Sequence, residues 1–351
     1  MKIYTCILLV FLFFTCCSEK TKETHPFFPT DSINNKINTI CLNENLDFLG
    51  NTVSDFLIFN DSTYLISTPF AVYIYSKKGV QIRTIGEQGE GPDKYLNIGE
   101  VCLTENYVYI WCQIKQRLFV YDREGTYLTT YPLPRRMIIS MCVYQDRYLC
   151  CMLDGSHDNK IIEIYDLYES ESLRSVSLYS KETRLLSCAQ TAGDIEIRKN
   201  ILYWSIPSEL SLYSLDLNNI NGKILQYDFN DEDFIVKKLN KKAGLYDGQK
   251  ILEYINSNSR IIQLSFHKEN IFIVAETGTI KQSKQSEADK SSKRFVKIYQ
   301  INKDKKLTNM YMYNISANYG FTKLTNDTFY LLRAEETLDD FRIILDEYSL
   351  R

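Results

Sequence analysis

A chain of 351 residues with a formal charge of −3, 44% hydrophobic residues and 24% charged residues has the composition of a globular protein with room for one large core or two. The near balance of charge excludes nucleic acid as a main partner, because neutralising a phosphate backbone needs a clustered positive field. With 14 Gly and 7 Pro the bulk of the chain is not disordered, and 26 Tyr against 2 Trp suit half-buried sheet surfaces that keep a hydroxyl wet.

The first element in chain order is a targeting segment. Lys2 precedes an apolar run, Ile3–Phe14, whose length of about 12 residues is that of a signal core and too short to cross a bilayer. The run ends in "FTCCSEK", which resembles the lipobox of bacterial lipoproteins. Cys17 fits the lipidated position better than Cys16, because Thr15 and Cys16 would then precede the cut in place of bulky Phe14. A plain secretory signal and an uncleaved anchor are the alternatives. Residues 1–17 are thus read as a signal peptide, 18–36 as a tether and 37–351 as the folded body. Seven cysteines remain in that body, an odd number without a CxxC pair, so neither a zinc site nor a thioredoxin-type motif is indicated. Buried free thiols and a disulfide both stay open for them.

The body repeats one phrase six times: an apolar strand, a tight polar turn, an apolar strand, then a third strand and a fourth. The first hairpin reads "DFLIFNDSTYLIS", "EVCLTENYVYIWC", "SMCVYQDRYLCCML", "DIEIRKNILYWSI", "IQLSFHKENIFIVA" and "FTKLTNDTFYLLRA", beginning at Asp55, Glu100, Ser140, Asp194, Ile262 and Phe321. Each turn is built from residues that tolerate tight bends. Six four-stranded units predict an all-β, six-bladed β-propeller, because a lone unit could not bury both of its faces. A sandwich is the rival all-β architecture, and it would not produce six equivalent copies. The sixth unit lacks a fourth strand, and "INTICLNEN" (Ile37–Asn45) alternates suitably to supply it and close the ring.

In a propeller the first-to-second and third-to-fourth turns share one face, and the second-to-third loops and blade-to-blade connections share the other. The turns of the first set are short. The long excursions fall in the second set: 86–100, 181–194, 230–260 and 277–293. Helical spacing at Phe234, Ile235, Lys238 and Leu239, and again at Ile251, Leu252 and Ile255, predicts one or two short helices over the channel mouth. Long loops on one side of a rigid scaffold are where binding resides, against the alternative of drift in loops without a role.

The densest local signal is "IGEQGEGPDKY" (Ile85–Tyr95), which joins the fourth strand of unit 1 to the first strand of unit 2. It has no Lys-Ser/Thr after its last glycine and no calcium-loop spacing, so it is neither a phosphate loop nor a calcium loop. A structural turn is expected. Gly89 and Gly91 are expected in backbone angles closed to other residues, Pro92 stiffens the bend, and Tyr95 lies over a blade seam. With Gly86 these residues are similar to the G-x-x-G-x-G-P-x-x-[YF] blade junction of NHL-like and TolB-like six-bladed propellers. With the lipobox, the chain resembles six-bladed propeller lipoproteins of Bacteroidota-type cell envelopes. Asp93 and Lys94 stand where that family usually has a glycine and an acid. The resemblance implies an extracytoplasmic binding or scaffold role.

Histidine offers little to catalysis. His25 falls in the tether, His157 in a loop of the long-connection face and His267 beside a hairpin turn of the other face. A nucleophile–base–acid set needs convergent members, and no such set is evident. Glu100, Asp194 and Glu196 lie at strand starts near the expected channel mouth, and Glu335, Glu336, Asp339 and Asp340 form an acidic loop in unit 6. The binding-face candidates are therefore Glu100, His157, Asp194, Glu196, Glu335 and Asp339. The favoured function is a non-catalytic, lipid-anchored propeller, a monomer without cofactor, in the outer membrane facing periplasm or exterior. It would bind an envelope protein or a glycan-derived ligand on its long-connection face. The alternatives are a hydrolase or lactonase holding calcium or zinc at the channel mouth, and a passive subunit of an outer-membrane complex.

Overall fold

The computed structural model describes residues 30–33, 36–42, 53–134, 137–154, 160–177, 180, 182–183, 186, 193–238, 248–277, 294–315, 319–325, 328–336 and 341–350. Six sheets follow one another along the chain. Blade 1 is β3 (Asp55–Asn60), β4 (Thr63–Ser67), β5 (Val72–Ser76) and β6 (Gln81–Thr84). Blade 2 is β7 (Ile98–Leu103), β8 (Tyr107–Cys112), β9 (Arg117–Asp122) and β10 (Tyr127–Pro132). Blade 3 is β11 (Ile138–Tyr144), β12 (Tyr148–Leu153), β13 (Ile162–Asp166) and β14 (Glu171–Val176). Blade 4 is β15 (Asp194–Arg198), β16 (Ile201–Ser205), β17 (Ser211–Asp216) and β18 (Leu225–Asp228). Blade 5 is β19 (Arg260–His267), β20 (Asn270–Glu276), β21 (Arg294–Ile301) and β22 (Leu307–Ile315). Blade 6 is β23 (Tyr319–Thr325), β24 (Thr328–Glu336) and β25 (Phe341–Ser349), completed by the early strand β2 (Lys36–Leu42).

The first strands touch in the order β3, β7, β11, β15, β19, β23 and back to β3, which closes the ring around an axial channel. Six hydrophobic cores fill the six seams between neighbouring blades. Because every blade is packed on both faces, its second strand reads as a continuous apolar run rather than an alternation. "TYLIS" of β4 is buried at every position, and Tyr64, Leu65 and Ile66 face two different cores in turn.

β2 runs antiparallel to β25, with Thr39 opposite Asp346 and Leu42 opposite Ile343. The closure is polar as well as apolar. Buried Asp346 accepts from Thr39 Oγ1 at 2.9 Å and from Arg333 Nε at 2.7 Å, and pairs with Lys36 Nζ at 2.6 Å. Burial alone would raise this carboxyl; the hydrogen bonds from Arg333, Lys36 and Thr39 overcome it and hold Asp346 below the usual range. Ile40 and Leu42 enter the core shared by blades 6 and 1.

Three details differ from the sequence reading. The closing strand is described over Lys36–Leu42, one residue earlier than the expected start, and residues 43–45 of the expected segment lie outside the described residues. Within the expected tether, β1 (Thr30–Ser32) pairs parallel to β22 and gives blade 5 a fifth strand, and adjacent Ile33 enters the core between blades 5 and 6. The excursion after blade 4 holds one described helix, α1 (Gly248–Ser257), while 234–238 is irregular. The reason is local: the Ile235 and Lys237 amides donate to Ser259 Oγ and Asn258 Oδ1, at 3.0 and 2.6 Å, instead of to a helical ladder. No helix among the described residues is long and apolar enough to cross a membrane.

Candidate functional site

Each first strand starts at the long-connection face, so polar residues near its start surround the channel mouth. β3 contributes Asp55, β7 Glu100, β11 Ser140 and β15 Asp194 and Glu196, all among the first residues of their strands. Gln263 stands mid-strand in β19, and Lys323, nearer the hairpin end of β23, reaches the cluster with its long side chain. Their contacts run in one rotational sense, each blade reaching the next. Ser140 Oγ of blade 3 donates to Asp194 Oδ1 of blade 4 at 2.6 Å. Asp194 Oδ2 accepts the Leu264 amide of blade 5 at 2.8 Å. Gln263 of blade 5 donates to the Leu324 carbonyl and accepts its amide in blade 6, at 3.0 and 2.9 Å. Lys323 Nζ of blade 6 lies 3.8 Å from Asp55 Oδ1 of blade 1.

The electrostatics follow from enclosure. Burial pushes Asp55 up to about 6, with the Asp194 charge adding to it and Lys323 opposing it. Burial raises Glu196 to about 7, and it raises Glu100 well above the carboxylate range, with Asp55 and Asp194 contributing. Glu196 is reached by solvent inside the channel yet walled in by protein, which is how an exposed side chain comes to be poorly hydrated. Burial alone would lower Lys323, but the surrounding Asp55, Asp194, Glu196 and Glu100 outweigh it and hold the ammonium charged. The mouth is thus an acidic cluster around one cation, able to accept hydrogen bonds and to take up protons near neutrality.

Of the residues singled out from sequence, the fold brings Glu100, Asp194 and Glu196 together here. Glu335 lies in β24 opposite Arg342, away from the first strands. His157, Asp339 and Cys17 lie outside the described residues. Sequence reasoning missed Asp55, Ser140, Gln263 and Lys323. The sequence signal was partial: Ser140 and Gln263 interrupt mainly apolar strands and Asp55 opens one, whereas Lys323 stands in a mixed strand beside Thr322 and Thr325. Among the described residues no group of three or more His, Cys, Asp or Glu is placed to hold a metal ion, which gives the metal-dependent hydrolase alternative no support. Six described cysteines are free thiols, and burial pushes Cys102 up to about 12.

The glycine loop is a cage for a lysine. Lys115 Nζ, from the β8–β9 loop, donates to the carbonyls of Gly89, Gly91 and Lys94 at 2.9, 2.8 and 2.6 Å. Tyr95 is buried in the seam between blades 1 and 2, and its hydroxyl donates to the Ile85 carbonyl at 2.9 Å. Pro92 sits in the bend between these anchors. The left-handed backbone falls at Gly86, with φ +66°, rather than at Gly89 and Gly91. A Cβ on Gly86 would also stand 2.6 Å from the Tyr121 hydroxyl. At Gly89 and Gly91 a Cβ would meet only the movable ends of the Lys94 and Asp93 side chains, so the demand for glycine is strongest at Gly86.

Around the mouth, the long-connection face carries exposed apolar side chains on tightly held turns. Phe70, 42% exposed, stands on a turn in which Thr68 Oγ1 accepts the Phe70 and Ala71 amides. The adjacent Pro69 carbonyl accepts the Ile98 amide of blade 2 at 2.7 Å. Ile114, 64% exposed, follows Gln113, whose amide donates to Asn97 and whose Nε2 lies 2.9 Å from the sulfur of exposed Met137. Ile235 is exposed further round, on a segment fixed by buried Lys297, which pairs with Asp231 and Asp233 at 2.8 Å each.

A family model described as a 6-bladed beta-propeller, DUF5128, matches residues 28–274. The chain belongs to this family. The match begins just before β1 and ends within β20, and the described geometry carries the same architecture to β25. Solved structures resemble this DUF5128 member in fold. A protein of Bacteroides fragilis NCTC 9343 described as exported is 13% identical, with 92% of this chain and 99% of that chain covered and a TM-score of 0.64. A member of the duf4221 family from Bacteroides vulgatus is 10% identical, with 91% and 99% covered and a TM-score of 0.60. A streptogramin B lyase is 9% identical, with 91% and 100% covered and a TM-score of 0.50. At these identities the likeness is one of fold, and a single frame shared by an exported protein and a lyase does not specify chemistry. No curated protein matches the chain at a significant level.

Proposed function

We propose that this DUF5128 propeller is an extracytoplasmic binding protein, lipid-anchored through Cys17, that engages an envelope protein partner on its long-connection face without catalysing a reaction. The observation that carries the reading is the meeting, on one face, of the acidic channel mouth with exposed Phe70, Ile114, Met137 and Ile235 on hydrogen-bonded turns. Exposed large apolar groups on rigid turns are the ordinary anchors of a protein interface. The apolar run Ile3–Phe14 followed by Cys17 and the exported B. fragilis structure support a place outside the cytoplasm, with the outer membrane as the expected location. Kinship with NHL-like and TolB-like lipoproteins rests on residues 85–95.

The test is affinity capture of the native chain from envelopes beside a Phe70→Ser, Met137→Ser variant. A partner held in near-equal amount by the native chain and lost from the variant supports the reading. A partner profile unchanged by the variant opposes it. Membrane fractionation of Cys17→Ala tests the anchor, and a body still found with the membrane would rule out Cys17 as its attachment.

A further inference from the structure

The ring of polar contacts at the mouth is incomplete, and its gap has a definite place. Followed around the blades, the contacts run from 3 to 4, 4 to 5, 5 to 6 and 6 to 1. From blade 1 to 2 and from blade 2 to 3 no equivalent contact exists among the described residues. Asp55 shares a sheet face with Ser67, directed at the seam toward blade 2, and Glu100 shares one with Trp111, directed toward blade 3. Asp55 accepts its neighbouring Phe56 amide and lies near Lys323, and among the described residues Glu100 makes no hydrogen bond or ion pair. The exposed apolar groups Phe70, Ile114 and Met137 rise from the same sector. Phe70 lies three residues past Ser67, Ile114 two past Cys112, and Met137 three before Ser140.

Resting on the partner-binding reading above, we infer that the blade 1–3 sector docks a polypeptide segment whose large apolar side chains flank a lysine or arginine, the cationic head entering the mouth beside Asp55 and Glu100. Complementarity argues for this occupant: four carboxyl groups, Asp55, Glu100, Asp194 and Glu196, stand around a single ammonium, Lys323, which lies 3.8 Å from Asp55. A second cation beside Glu100 would favour the ionised form of a carboxyl that burial holds toward its neutral one. Two of them stand on the side where the ring lacks a donor. A basic side chain supplies that donor, and the three apolar groups offer its flanking residues surfaces carried on hydrogen-bonded turns, which lowers the ordering cost of association.

The experiment selects random phage-displayed peptides against the full chain in detergent and measures a synthetic copy of the enriched sequence by fluorescence anisotropy. The expected result is enrichment of Lys or Arg flanked by large apolar residues. Binding should weaken by about tenfold or more in Glu100→Gln and in Phe70→Ser, Ile114→Ser, and should be unchanged in Tyr168→Ser on the opposite face. Matching thermal midpoints confirm that each variant is folded. Enrichment without a basic residue, or binding indifferent to both sector variants, overturns the inference. If Ile235→Ser abolishes binding while both sector variants retain it, the long-connection face keeps its role and this sector loses it. A dimer seen by light scattering and dissolved by Phe70→Ser, Ile114→Ser would make a second copy the occupant and also overturn the proposal.

Discussion

Lys115 shows how one side chain can fix a junction. Its ammonium satisfies three carbonyls of the 86–95 loop, so Lys115→Met keeps the stem and leaves Gly89, Gly91 and Lys94 without their donor. A loss of about 2 kcal/mol is expected in urea unfolding, whereas Lys94→Met, which removes an exposed pair with Glu87, should change little. The channel carboxyls give a pH signature of definite sign. Asp55 and Glu196 are raised to about 6 and about 7, so the native state binds protons that the unfolded chain has released. Their contribution is therefore present at mildly acid pH and lost as pH rises through those values. Asp346 and Asp231 are held low by their hydrogen-bond partners, so their contribution is lost in acid. The thermal midpoint should peak near pH 5 and fall by a few degrees toward pH 8, and Glu196→Gln should flatten that fall. A midpoint that rises steadily from pH 5 to pH 8 would contradict the assignment. At this scale the sequence was only half legible. Glu100, Asp194 and Glu196 stood out as acids at strand starts, but Lys323 and Gln263 acquire meaning only when strands from different blades converge. Lys115 could not be read as the loop's tenant, because its partners are backbone carbonyls.

At the level of elements, β2 is the clasp, and its two faces give a controlled comparison. Leu42 is 2% exposed in the core between blades 6 and 1, while Ile37 on the same strand is 60% exposed. Leu42→Ala should cost about 2–4 kcal/mol and Ile37→Ala almost nothing. Asp346→Ala would leave Arg333 and Lys36 without their buried acceptor and should cost about 3 kcal/mol. Equal effects of the two β2 substitutions in urea unfolding would mean that the strand is not docked as described. The strands were legible because both seams of each blade demand apolar residues at fixed spacing. β1 was hidden by its length of three residues, too short for a periodic signal, and by its parallel pairing with a strand nearly three hundred positions away. The missing helix at 234–238 shows the converse. Apolar spacing suited a helix, but the side chains of Asn258 and Ser259 claimed its amides.

For the whole molecule, six repeated hairpins and a missing last strand were enough to give the ring, because a blade with two apolar faces has no stable state alone. The rotational sense of the polar contacts and their gap at blades 1 to 3 were beyond the sequence, since they depend on how far each first strand advances into the channel. The division of the molecule into a short-turn face and a long-connection face is the central claim for function. It is tested most directly by placing a photocrosslinking residue singly at Ile114, Met137 and Ile235, and at Val80 and Tyr168 on the opposite face, in cells carrying the full chain. The expected result is a discrete crosslinked product from the first three positions and none from the last two. Products of equal yield from both faces, or from Val80 and Tyr168 alone, would contradict it.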